Sequence, residues 1–228
     1  MRQEEIVQNI EKVRENIAKA CRKAGRDPKE VTLIAVTKTV SAETAMIAVD
    51  AGVCDIGENR VQEYRDKRDK IQREINLHFI GQLQRNKVKY IVSDVSYIHS
   101  LDRLSLAEEI SARAQKAGRT VNVLVEVGFD HSGERGGVLP EQLHEFVYQL
   151  LEYPNLNVCG LMCVAPLGYD EEKTRGVFRT MRDMRDAFQK EGLHMPHLSM
   201  GMSGDYQIAV EEGATFVRIG TTIFGARK

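Results

Sequence analysis

VTLIAVTKT, residues 31–39, is a short β-branched run that ends on an amine. Apolar side chains fill Val31 to Val36, and a helical pattern follows from Ala42 to Ala51. The two read as one strand–helix unit with Lys38 at the carboxyl end of a buried strand. An ammonium there is costly to bury without a partner. Desolvation lowers a lysine pKa and leaves more neutral amine, the form that condenses with an aldehyde. Position alone favours a lysine that bends to solvent or pairs with a carboxylate. The rest of the sequence reverses that preference.

Working outward, the same unit recurs. Before it, Ile6, Ile10, Val13 and Ile17 repeat at helical spacing and Gly25 closes an amphipathic helix. After it, strands are predicted at 55–57, 77–80, 97–99, 121–127, 157–162, 197–199 and 216–219. Helical stretches are predicted at 61–73, 104–117, 140–151, 171–190 and 203–212. Eight strands with intervening helices, in about the length of one barrel, predict a (β/α)8 TIM barrel with an extra N-terminal helix. Only nine residues follow Ile219, too few for a full eighth helix. The N-terminal helix is expected to fill that place, beside strands eight and one. An open doubly wound sheet is the runner-up, but its G-x-G-x-x-G fingerprint is absent.

Composition narrows the class. With 42% apolar and 29% charged residues, the 228-residue chain can build a sizeable core. No low-complexity linker or internal repeat divides it, so one domain over 1–228 is expected. A net charge of -1 offers no general field for nucleic acid or an anionic membrane. The opening MRQEEIVQNIEKVREN is charged and helical rather than secretory, and no apolar stretch approaches a membrane span. Cys21, Cys54, Cys159 and Cys163 lack C-x-x-C spacing, which fits reduced thiols in a cytoplasmic protein.

Barrel chemistry gathers at the carboxyl ends of strands, and phosphate often binds after strands seven and eight. LSMGMSGD follows strand seven, with Gly201, Ser203 and Gly204 before a helix that Ser203 is expected to cap. VRIGTTIFG closes strand eight, where Gly220 permits close backbone approach and Thr221 and Thr222 add donors. Arg218 shares a face with Gly220. A phosphate cradle, a fixed guanidinium and an amine together suit pyridoxal 5'-phosphate (PLP), with its phosphate, ring nitrogen and aldehyde.

Three further motifs face the same end. In GENRVQE, Asn59 either hydrogen-bonds a ring hydroxyl or merely caps a helix. In HFIGQLQRNK, His78 is expected to be a satisfied core group, with Gln82 and Asn86 near the next helix. In GLMCVAPLG, Met162 touches a ring face or packs in the core. His194 and His197 are separated by Met195-Pro196, and no carboxylate or cysteine cluster completes a metal site, so none is expected. Arg175, Arg179, Arg182 and Arg185 share a helical face expected to be solvated and charge-mixed.

On AVTKT, GENRVQE, HFIGQLQRNK, GLMCVAP and LSMGMSGDYQIAVEEGATFVRIGTTIFGAR, the chain resembles the YggS-like pyridoxal phosphate homeostasis protein family over essentially its whole length. The resemblance implies the barrel of alanine racemase without its second β domain. It implies a Schiff base between PLP and Lys38, phosphate held by Ser203, Gly220 and Thr221, and Arg218 facing the pyridine nitrogen. It also implies storage, buffering or delivery of PLP, with apo PLP-dependent enzymes as possible recipients. VEVGFDHSGERGG, from Val125 to Gly137, departs from the family pattern near VN-x-SGE-x-x-K-x-G and puts Glu126, Phe129, His131 and Arg135 in altered context. An arginine at the ring nitrogen disfavours its protonation and weakens the ring as an electron sink, which argues against catalysis. The alternative is a PLP-dependent amino-acid racemase with Lys38 as base; a partner-binding scaffold is a third reading. A monomer is expected.

Overall fold

In the computed structural model, which describes residues 2–129 and 136–226, eight parallel strands close into a barrel in sequence order. The strands are β1 (Thr32–Val36), β2 (Asp55–Glu58), β3 (Asn76–Phe79), β4 (Tyr97–Leu101), β5 (Val121–Val127), β6 (Leu156–Cys163), β7 (His197–Met202) and β8 (Phe216–Ile219). β8 pairs with β1 in register Ile34 to Arg218, which closes the ring. The expected boundaries hold to within about three residues.

The helices are α1 (Gln3–Lys23), α2 (Ala42–Asp50), α3 (Val61–Lys70), α4 (Leu104–Lys116), α5 (Leu143–Leu150), α6 (Glu171–Lys190), α7 (Tyr206–Glu211) and α8 (Thr221–Phe224). Between β3 and β4 the chain makes only a 3-10 segment, Arg85–Tyr90. Ile6, Ile10, Val13 and Ile17 are all buried, each stabilising the fold by roughly 1.5–3 kcal/mol relative to exposure. They seat α1 against α2, α7 and α8, and Asn9 Nδ2 donates to the Ile223 carbonyl at 3.1 Å. The N-terminal helix fills the place left by the single-turn α8, as the pattern predicted.

Two expectations need correction. α7 begins at Tyr206, not Ser203, and position 205 precedes it. Asp205 accepts from the Met202 amide at 2.6 Å, and this turn delays the helix. Ser203 therefore does not cap α7. The arginine face of α6 is not simply solvated. Arg175 and Arg182 reach the Glu212 carboxylate at 3.1 Å and Arg179 reaches it at 3.4 Å, tying α6 to the end of α7. Burial pushes the Glu212 carboxyl up, but hydrogen bonds from Arg175 and Arg179 hold it below the usual range.

The lumen is mixed in character. Ile34, Leu124, Cys159, Met162 and Phe216 form one apolar cluster, joined by Tyr97. Beside it lie His78, His99, Ser199 and Arg218, each at most 4% exposed. β4 and β7 are not neighbours in the sheet, so the 2.8 Å contact of His99 Nδ1 with Ser199 Oγ crosses the lumen.

Candidate functional site

The amine of Lys38 is carried by a braced turn just past β1. The Thr37 amide donates to Gly57 O at 3.1 Å and the Val40 amide to Thr37 O at 2.9 Å. The Thr37 hydroxyl donates to Glu58 Oε1, while Lys67 Nζ donates to Thr37 O at 2.9 Å and pairs with Glu58 at 2.6 Å. Glu63 Oε2 accepts from the Thr39 amide at 2.6 Å. Thr39 has φ 65°, a left-handed conformation that costs a β-branched residue about 1–2 kcal/mol. Glu63 holds it there. Burial pushes the Glu58 carboxyl up, and the bonds from Lys67 and Thr37 oppose that rise.

Lys38 lines a cleft of ≈ 300 Å³ together with Val36, Gly220, Thr221 and Phe224. The two ends of the closing β8–β1 pair thus bring the predicted amine beside two of the predicted phosphate residues. Ser203 joins them differently from expectation: its Oγ accepts from the Thr222 amide at 3.3 Å, linking the loops after β7 and β8. On β7, Gly201 lets α7 pack close against the strand. It has φ 90°, and a Cβ there would stand 2.6 Å from the Ala209 Cβ.

Arg218 lies below, 4% exposed, donating from Nη1 to Ser199 Oγ at 2.5 Å and from Nη2 to Cys163 O at 2.8 Å. Burial lowers its pKa, and the neighbouring Cys163, Glu126 and Asp205 work the other way. Met162, 2% exposed, belongs to the apolar lumen cluster. Asn59 lines a second cleft of ≈ 580 Å³ with Arg60, Phe79, Gln82, Lys87 and Tyr90, not the Lys38 cleft. It does not cap α3, whose N-cap position is Arg60, and its Oδ1 is buried with no hydrogen-bond partner.

His78 is the satisfied core group expected, bonded to Asp55 and His99 at 2.9 Å each. The sequence reading missed Lys67, Glu63, His99, Ser199 and Asp205. No local signal marks Ser199, because β7 shifts register between Ser199 and Met202 and Gly201 faces α7 rather than the lumen. Glu126, next to last in β5, has Oε2 buried and unpartnered; burial first, then Asp102, pushes its carboxyl up to about 7 against Arg218. Phe129 packs against the main core, whereas His131 and Arg135 lie outside the described residues.

A family model described as the alanine racemase N-terminal domain matches residues 8–228. A pyridoxal phosphate homeostasis protein of Aquifex aeolicus is 45% identical, covering 97% of this chain and 98% of its own. The chain belongs to the pyridoxal phosphate homeostasis protein family. A member from Escherichia coli is 37% identical over 98% of this chain and 97% of its own. PipY of Synechococcus elongatus, solved with PLP bound, superimposes with a TM-score of 0.86 at 33% identity. The match covers 96% of this chain and all of that one. An alanine racemase of Clostridium difficile aligns with a TM-score of 0.79 at 16% identity over 57% of its length, a likeness of fold alone.

Proposed function

We propose that this protein binds PLP at the Lys38 cleft and acts in its homeostasis, by storing, buffering or delivering the cofactor. The single supporting observation is that Lys38, Gly220 and Thr221 line one cleft. Its ≈ 300 Å³ falls at the lower end of small-molecule sites. The residues present suit the group: an amine for an aldehyde, backbone beside a glycine for a phosphate, and a buried arginine for a ring nitrogen.

Bound PLP supplies an aldehyde that condenses with a primary amine. Lys38 contributes that amine from a turn pinned at Thr37 and Thr39, so little freedom is lost on capture. Gly220 and Thr221, with Ser203 holding the Thr222 amide, form the anion end of the site. Arg218 keeps its own protons and adds positive charge, which withholds a proton from a ring nitrogen placed beside it. Met162 forms part of the apolar lumen beneath the site, while the unpartnered Asn59 Oδ1 belongs to the second cleft and not to this one.

The test is capture of the cofactor. Borohydride treatment of PLP-loaded protein followed by mass spectrometry is expected to find the adduct on Lys38. Lys38→Ala is expected to lose the adduct and keep weak, phosphate-anchored binding. A normal adduct in Lys38→Ala would sink this reading. Delivery is tested by mixing loaded protein with an apo PLP-dependent enzyme; reactivation no faster than with free PLP argues against direct transfer.

Glu126 favours a second reading, an amino-acid racemase, because a carboxyl with a pKa of about 7 is poised for proton transfer. Saturable α-proton exchange lost in both Lys38→Ala and Glu126→Gln would replace homeostasis with catalysis. The protein is proposed to work in the cytoplasm as a monomer, in keeping with four unpaired cysteines. Light scattering at twice the single-chain mass would overturn the monomer. Among the described residues, no helix is long and apolar enough to cross a membrane.

A further inference from the structure

A line of polar side chains runs through the lumen from beneath the Lys38 mouth to the opposite end of the barrel. Arg218 Nη1 meets Ser199 Oγ at 2.5 Å, and Ser199 Oγ meets His99 Nδ1 at 2.8 Å. His99 Nε2 meets His78 Nδ1 at 2.9 Å, and His78 Nε2 meets Asp55 Oδ1 at 2.9 Å. Asp55 is the first residue of β2, at the amino end of the sheet. Five residues from five strands therefore connect the two ends.

The protons on this line have one favourable arrangement. Arginine only donates, so Ser199 Oγ accepts from Arg218. The serine proton then has His99 Nδ1 as its acceptor. That leaves the His99 proton on Nε2, where it is donated to His78 Nδ1. The His78 proton is in turn on Nε2, donated to the Asp55 carboxylate. Reversing the direction puts an extra proton on Asp55 or makes His78 an imidazolium, and either way leaves the Ser199 hydroxyl proton without its partner in the line. Complete burial, with His78, Arg218 and His197 adding to it, holds His99 well below the ordinary histidine range. A neutral imidazole has one donor and one acceptor, which is what the line requires at that position. Tyr97 stacks on His78 with ring centroids 5.0 Å apart, and Phe216 meets the same ring edge-on at 5.5 Å, so its plane is set as well.

We propose that Asp55, His78, His99 and Ser199 form a one-way hydrogen-bond chain that fixes the Arg218 guanidinium beneath the mouth, making Asp55 a positioning residue for a ligand bound at the far end. The chain has a cation at one end and a carboxylate at the other, and every bond points from the first to the second. Its dipoles therefore reinforce one another. Arg218 is thereby held in one orientation by a group across the barrel. The effect on PLP rests on the function proposed above; the proton arrangement does not.

The first measurement needs no variant. In the full-length protein with 15N-labelled histidine, long-range 1H–15N spectra are expected to show His78 and His99 as neutral Nε2–H tautomers. An Nδ1–H tautomer or an imidazolium at either residue overturns the chain. The second measurement compares PLP-loaded wild type with Asp55→Ala and Asp55→Asn. Asp55→Ala is expected to disturb the His78 and His99 tautomers, shift the absorbance of bound PLP and weaken uptake about fivefold. Asp55→Asn, which retains an acceptor oxygen, is expected to restore the tautomers and most of the uptake. If either variant fails to fold, Ser199→Ala, which cuts the line at the other end, is expected to shift the same absorbance. An unchanged bound-PLP spectrum in folded Asp55→Ala or Ser199→Ala overturns the positioning role alone. Failure of the wild type to take up PLP overturns the proposed function instead.

Discussion

Glu126 carries the clearest pH signature of any side chain near the mouth. Its carboxyl ionises at about 7 in the folded protein, against an ordinary value of 4.5. The native state therefore binds more protons than the unfolded chain between those values. Stability contributed at low pH is lost as pH rises from about 4.5 to 7, and stays lost above. The gap corresponds to roughly 3 kcal/mol at most, less where water reaches the group. Urea unfolding of wild type and Glu126→Gln at pH 5 and pH 8 checks this. The glutamine variant is expected to lack that part of the decline and to be the more stable of the two at pH 8. Identical pH dependence in both proteins would remove Glu126 as the source.

At the scale of elements, the turn after β1 depends on both ends of α3, through Glu63 and Lys67, and on the end of β2. Glu58 and Lys67 are a buried pair, with side chains 0% and 3% exposed. Lys67→Met removes the partner of a buried carboxylate and is expected to cost about 3–5 kcal/mol in urea unfolding. Adding Glu58→Gln is expected to recover most of that loss, because no charge then lies buried alone. A double variant as unstable as the single would mean that packing, not charge, sets the cost.

This brace shows what sequence reading reaches and what it leaves out. The strand ending before Lys38 and the glycine and threonine after β8 were legible, because period and turn chemistry are local. That Glu58 and Glu63 of GENRVQE serve the turn after β1 was not, since it depends on the pairing of β1 with β2 and on Lys67 one helix away. Ser203 was misread for a similar reason. A serine just ahead of a helical run matches a helix cap locally, but the Asp205 side chain takes the Met202 amide and moves the helix start. The arginines of α6 were read by their own helix, and Glu212 belongs to another.

At the scale of the whole molecule, α1 is as much a part of the barrel wall as the helices between strands. Ile10 is fully buried, and Ile10→Ala is expected to cost about 2–5 kcal/mol in thermal or chemical unfolding. A loss below about 1 kcal/mol would mean that α1 is only loosely seated. The surfaces that receive it include α7 and α8, made from residues 206–224, nearly two hundred positions later. During synthesis α1 thus leaves the ribosome long before the segments it packs against. Its stripe of isoleucines must stay wet, or under a chaperone, until residues 206–224 have been made, and the ring cannot be sealed before β8 meets β1.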